Sequence, residues 1–122
     1  MNLYIQELNH VALHVHDLAA SMQFYGNKLG LASIARPNFD FNGAWFALGS
    51  QQLHLIEGHV GKADSFNRGN HFAVRVENIE STRQYLNKQG ITYIGPKLRP
   101  DGATQIFIID PDGYNIEFCE IA

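Results

Sequence analysis

The chain has 122 residues, 45% of them hydrophobic and 17% charged, with a formal net charge of −3. That is an ordinary globular composition for one domain, and slight acidity without a basic run argues against nucleic acid or an anionic membrane surface as partner. The single cysteine, Cys119, points to a reducing cytoplasm. The start MNLYIQELNH has no basic-then-apolar leader, and no apolar run reaches bilayer length.

In chain order, LNHVALHV (8–15) alternates with period two, which predicts a strand. Val11, Leu13 and Val15 take one face, and His10, Ala12 and His14 the other. Asp17 then caps a helix over LAASMQFYGNKLG, with Leu18, Met22, Tyr25 and Leu29 on one stripe and Gly30 as its stop. Three short strands follow, LASIAR (31–36), GAWFAL (43–48) and QQLHLIE (51–57), separated by the turn-like PNFDFN and GS. Residues 58–69, GHVGKADSFNRG, read as a linker.

After it the order repeats. NHFAVRV (70–76) is a strand, and Asn78 caps a helix over IESTRQYLNKQG. ITYIGPK (91–97), TQIFIID (104–110) and YNIEFCE (114–120) are strands, with DPDG as a tight turn before the last. The expected fold is α+β: a single domain over 1–122 made of two tandem βαβββ modules, about 5–57 and 70–122.

The two halves align residue by residue. NHVALHVHDLAASMQFY lies over NHFAVRVENIESTRQYL without a gap, so His10 matches His71 and Ala12 matches Ala73. QLHLIE lies over NIEFCE, so His54 matches Glu117. Modules of this kind often pack about a pseudo-twofold axis, on which equivalent positions converge. In each of the four strands neighbours at odd offsets are apolar: Val11 and Leu13, Leu53 and Leu55, Phe72 and Val74, Ile116 and Phe118. His10, His54, His71 and Glu117 therefore share the sheet face turned away from the helix, which would line a cup if the sheet curls. Three imidazoles and a carboxylate suit a borderline divalent cation such as Zn, Ni, Co, Mn or Fe. His14 and His16 match Arg75 and Glu77, so neither belongs to the repeated ligand set. His14 shares the cup face with His10 and is a candidate substrate contact, as is Arg75 beside His71. Cys119, two residues beyond Glu117, lies on the same face, where a thiolate near a cation could ligate; a small buried residue at a strand end is the plainer reading.

These residues carry a family likeness. The chain resembles the vicinal oxygen chelate superfamily, which includes glyoxalase I, fosfomycin- and bleomycin-resistance proteins and extradiol dioxygenases. LNHVALHVHDLAASMQFYGNKLGL is similar to its opening strand and helix, and NHFAVRVEN and DPDGYNIEFCE to its second module and closing signature. The resemblance implies a half-open barrel around one metal. It also implies a homodimer in which His10 and His54 of one chain meet His71 and Glu117 of its partner, or closure of the four within one chain. Its chemistry is chelation of a small-molecule substrate through two neighbouring oxygens, with the metal as Lewis acid.

Short bacterial glyoxalase I enzymes resemble the chain most, at FYGNKLGL, NHFAVRVEN and DPDGYNIEFCE. The implied reaction is lactoylglutathione lyase-like: isomerisation through an enediolate, with Glu117 as catalytic base. Those enzymes have a second glutamate where this chain has His54, which removes one anion from the metal set. Arg36, Arg75, Lys97 and Arg99 are candidate anion contacts, with solvated surface charge the favoured reading for Lys97 and Arg99.

Three alternatives stand beside this one. The fosfomycin group shares His10, His71 and Glu117, but its threonine near the first histidine is Ala12 here and its tyrosine before the DPDG turn is Phe107. An Fe(II) extradiol dioxygenase could use the same three ligands, though His54 would then fill a position that oxygen needs. A non-enzymatic sequestering protein of the bleomycin-resistance type would use a hydrophobic groove, for which Trp45, Phe39, Phe41 and Tyr93 are candidates. Retention of four ligand-type residues favours the metal enzyme.

Overall fold

The computed structural model describes residues 3–58 and 70–122, and the chain divides into two compact units, Met1–Val60 and Gly61–Ala122. Apart from Gly58, the linker expected at 58–69 lies outside the described residues.

In the first unit, strand β1 (His10–Val15) is followed by helix α1 (Leu18–Met22) and a π-helical segment (Gln23–Lys28). Strands β2 (Ser33–Ile34), β3 (Gly43–Leu48) and β4 (Gln51–Glu57) complete it. They form one sheet in the order β1-β4-β3-β2, with β1 parallel to β4 and the other pairs antiparallel. Alternation does what the sequence predicts on β1 and β4. Leu13, Val15, Leu53 and Leu55 are buried against the helix side, and Leu53 and Leu55 are fully sequestered. Truncating such a leucine costs about 2–5 kcal/mol, against about 1 kcal/mol for the Asp17 cap, so packing rather than capping sets where this unit holds together. The cap itself forms, with Ala20 N donating to Asp17 Oδ1 at 3.1 Å.

The helical stripe differs from expectation. Leu18 is half-buried and Met22 is 43% exposed, while Ser21, Phe24 and Tyr25 are buried. The cause is the winding: Leu29 N donates to Phe24 O, five residues back, and the wider π turn rotates the chain off the 3.6-residue stripe. Gly26 sits in that turn against Phe46, whose ring would stand 3.2 Å from an added Cβ.

The second unit repeats the order. Strand β5 (His71–Arg75), helix α2 (Ile79–Lys88) and strands β6 (Tyr93–Leu98), β7 (Thr104–Ile109) and β8 (Asn115–Glu120) give a sheet β5-β8-β7-β6, again with its first and last strands parallel. Its core is Ile106, Ile108, Ile116, Leu86 and Ile91. Asn78 caps α2 through Ser81 N at 2.8 Å. Glu120 of β8 accepts from Ile79 N at 2.6 Å, which places a carboxylate at the positive end of α2. In the DPDG turn, Asp110 Oδ1 accepts from Asp112 N at 2.9 Å and Tyr114 N at 2.8 Å, and Gly113 takes φ of 89°. That turn aims β8 back along β5.

No helix among the described residues is long and apolar enough to cross a membrane.

Candidate functional site

Register puts the ligand-type residues where the repeat predicts. In the first unit His10 is opposite Gln52 and Ala12 opposite His54; in the second, His71 is opposite Asn115 and Ala73 opposite Glu117. Each unit therefore sets its first-strand histidine one pleat diagonally from its last-strand ligand candidate. The apolar neighbours on β4 and β8 are drawn to the core side, which leaves these residues on the opposite face.

In the second unit His71 Nε2 stands 3.3 Å from Glu117 Oε1. Glu117 is only 4% exposed, and a carboxylate so placed needs partners. Its Oε2 accepts from Gln105 Nε2 at 3.1 Å, and Arg99 Nη1 lies 3.7 Å away. Arg99 is held in turn by a two-point contact with Asp101, Nε to Oδ1 at 2.8 Å and Nη2 to Oδ2 at 2.7 Å. That contact holds the Asp101 carboxyl down at about 2. One edge of Glu117 is thus kept by the protein, and the other faces His71.

In the first unit the His10 and His54 rings stack with centroids 4.0 Å apart. Trp45, opposite His54 on β3, covers the same ring at 3.8 Å and 2°. Burial first, then the charges of His10 and Arg36, hold His54 below the usual histidine range, so the ring stays neutral with a lone pair to give. Its Nε2 lies 2.8 Å from Gln52 Oε1, and His10 Nδ1 lies 2.8 Å from Asn9 Oδ1. With the amide oxygens as acceptors, His10 keeps its lone pair on Nε2 and His54 on Nδ1.

Among the described residues, no group of three or more His, Cys, Asp or Glu side chains gathers in one place; each unit supplies a pair. The spacing of the second unit's pair suits a divalent cation. Two adjacent ligands bonded at about 2.1 Å place their donor atoms about 3 Å apart, close to the 3.3 Å between His71 and Glu117.

The remaining expected residues divide. Trp45 is part of the ring stack. His14 is exposed on the ligand face of β1, opposite Ile56, and Arg75 is exposed on β5, opposite Cys119. Cys119 is buried, and its Sγ donates to Val74 O at 3.6 Å; burial and then Glu117 push its thiol up, which is the plainer reading of that residue. Tyr93, expected with the aromatic candidates for a groove, is opposite the core residue Ile108 and bonds Arg83 of α2, so it lies on the helix side of its own sheet. Arg99 is also more than a solvated surface charge, since it reaches Glu117. Phe107 lies on the ligand face opposite Glu117, with Lys97 Nζ 6.0 Å from its ring centre.

Sequence reasoning missed Asn9, Gln52 and Gln105, which contact the ligand-type residues. The available signal for Gln105 was a polar residue between the buried strand partners of TQIFII. A cavity of about 440 Å³ beside Met22, Gly26 and Phe46 lies on the helix side of the first sheet, away from His54.

Comparison with known proteins agrees with this geometry. The family described as Glyoxalase/Bleomycin resistance protein/Dioxygenase superfamily matches residues 7–118. The chain is 31% identical over 125 residues to glyoxylase I 4 of Arabidopsis thaliana, covering 96% of this chain and 72% of that one. It is 32% identical over 123 residues to a probable lactoylglutathione lyase of Synechocystis, covering 93% and 94%. It is also 32% identical over 117 residues to the glutathione transferase FosA of Serratia marcescens, covering 93% and 79%. Among solved structures, a glyoxalase family protein from Bacillus anthracis matches along the full length of both chains with a TM-score of 0.85 and 31% identity.

Proposed function

We propose that this chain, which belongs to the glyoxalase/bleomycin resistance protein/dioxygenase superfamily, is a metal-dependent enzyme of the glyoxalase I type. It isomerises the adduct of a 2-oxoaldehyde with a thiol such as glutathione. The observation that carries the reading is the buried Glu117 carboxylate, with one oxygen 3.3 Å from His71 and the other held by Gln105. The similarity to proteins named glyoxylase I and lactoylglutathione lyase supports the same class.

In this reading His10, His54, His71 and Glu117 hold one divalent cation, the two pairs being contributed by the two chains of a homodimer. When bound, that cation supplies Lewis acidity to two neighbouring substrate oxygens. Glu117 carries the proton between adjacent carbons, accepting it on Oε1 and returning it one carbon along. Gln105 keeps Oε2 occupied, so the same oxygen does both. His54 stands where a second carboxylate would lower the charge of the set, and its neutral ring leaves Glu117 as the sole anionic ligand.

The test is elemental analysis of protein purified without chelator or affinity nickel, paired with turnover of the methylglyoxal–glutathione adduct. One divalent metal per site and turnover that disappears in Glu117→Gln would support the reading. A metal-free protein that takes up none on titration would sink it and favour a sequestering protein.

A further inference from the structure

Among the described residues, Arg36 of the first unit is a cation without a counter-ion. Arg36 lies two residues beyond Ile34, which is opposite Trp45, and its guanidinium covers Gly43 of β3. A Cβ at Gly43 would stand 3.1 Å from both Nε and Nη2, so the bare glycine is what lets the side chain lie there. Nη2 donates to Phe41 O at 2.8 Å, and Cζ stands 4.9 Å from the ring centres of both Phe39 and Phe41. The ion pairs among the described residues belong to His71, Arg83 and Arg99, and none involves Arg36. Asp40, between the two phenylalanines in sequence, does not reach it. Nε is buried with no hydrogen-bond partner. A guanidinium held by rings and a carbonyl, rather than by an acid, keeps its Nη1 donors for something else.

The rings continue toward the ligand candidates. Phe39 and Phe41 stack at 5.0 Å, Phe39 lies 6.1 Å from Trp45, and Trp45 covers His54. Phe39 and Phe41 are 42% and 41% exposed, so the wall is open to a visitor. One end is a candidate ligand of a cation, the middle is aromatic, and the far end is a fixed positive charge.

We propose that Arg36, Phe39, Phe41 and Trp45 form a binding site for an aromatic carboxylate, whose ring lies against the aromatic wall and whose carboxylate is taken by Arg36. A single guanidinium with one open edge matches one planar carboxylate, and the flanking rings favour a flat apolar body over an aliphatic chain. The competing account is that Arg36 only pins residues 37–42 to β3. The inference goes beyond the lyase reading and is tested without metal or turnover.

Trp45 is the only tryptophan, so its fluorescence reports on this wall directly. Chelator-treated full-length protein would be titrated with phenylacetate, with neutral phenylacetamide and with acetate. The expected result is saturable change with phenylacetate, about tenfold weaker binding of the amide, and no saturation with acetate. In Arg36→Gln, with unchanged circular dichroism and melting, acid and amide bind alike. Equal binding of acid and amide by the unaltered protein, no saturation with either, or a preference that survives Arg36→Gln would each overturn the proposal. The comparison of acid with amide needs no variant, so a misfolded Arg36→Gln leaves it decisive.

Discussion

Glu117 is paired across the sheet with Ala73, yet its carboxylate meets His71, one pleat away, at 3.3 Å. The same diagonal joins His54 to His10. Two units with unlike donors thus present them in like positions. If the pairs are joined across a homodimer, His10→Ala and His71→Ala each abolish the site alone. Refolded together, they regenerate intact sites in mixed dimers, about a quarter of the total on random pairing. Turnover of the mixture against each variant measures this, and no recovery on mixing would show that the four ligands belong to one chain.

Gln105 is the neutral group that keeps Glu117 turned toward His71. Gln105→Leu removes that donor while preserving a strand former. Metal affinity is expected to fall by about tenfold, read by competition with a chelating dye, while the melting temperature moves little. Unchanged affinity would mean that Arg99 alone orients the carboxylate.

Gly43 is required by space rather than by backbone angle. Besides crowding Arg36, a Cβ there would come 2.3 Å from the carbonyl oxygen of Leu55, a fully buried residue of the neighbouring strand. Gly43→Ala is expected to destabilise by about 1–3 kcal/mol, measured by urea denaturation. Gly49→Ala, which meets no atom within 4 Å but holds φ of 62°, separates backbone strain from crowding.

The Arg99–Asp101 contact gives a defined acid response. Asp101 titrates at about 2 in the fold and near 3.9 unfolded, so its contribution is complete above the unfolded value and is lost as pH falls from there through 2. Asp101→Asn should therefore be less stable than the parent at pH 5, with the gap closing only as pH falls through and below 2. Because the pair is exposed, the difference shrinks in high salt. A difference that persisted below pH 2 would assign the effect to the Ala103 N–H contact of Asp101 instead.

Much of the fold is legible because local rules agree. Period-two alternation finds β1, β3, β4, β7 and β8, Asp17 and Asn78 announce their helices, and DPDG announces its turn. The internal repeat then aligns His10 with His71 and His54 with Glu117. The rest depends on contacts that no spacing reveals. The π turn at Gln23–Lys28 shifts the buried face to Ser21 and Phe24 because an extra residue enters the winding. Strand β2 shrinks to Ser33–Ile34, at the sheet edge, where one partner supplies all its bonds. Tyr93 exchanges faces by register, and Arg99 reaches Glu117 because Asp101, two residues on, turns it. The stack of His10, His54 and Trp45 needs three strands side by side, which alternation within each cannot state.

In each unit the first strand made is bonded to the last. While the chain grows from the ribosome, His10 waits for Gln51–Glu57 and His71 for Asn115–Glu120. Until then the antiparallel pairings β2–β3 and β6–β7 are the ones each unit can form. A chain lacking the closing strand of a unit holds His10 or His71 without its diagonal partner across the sheet. The parallel closure thus ties each pair to the completion of its own unit: His10 meets His54, and His71 meets Glu117, only once the closing strand has joined.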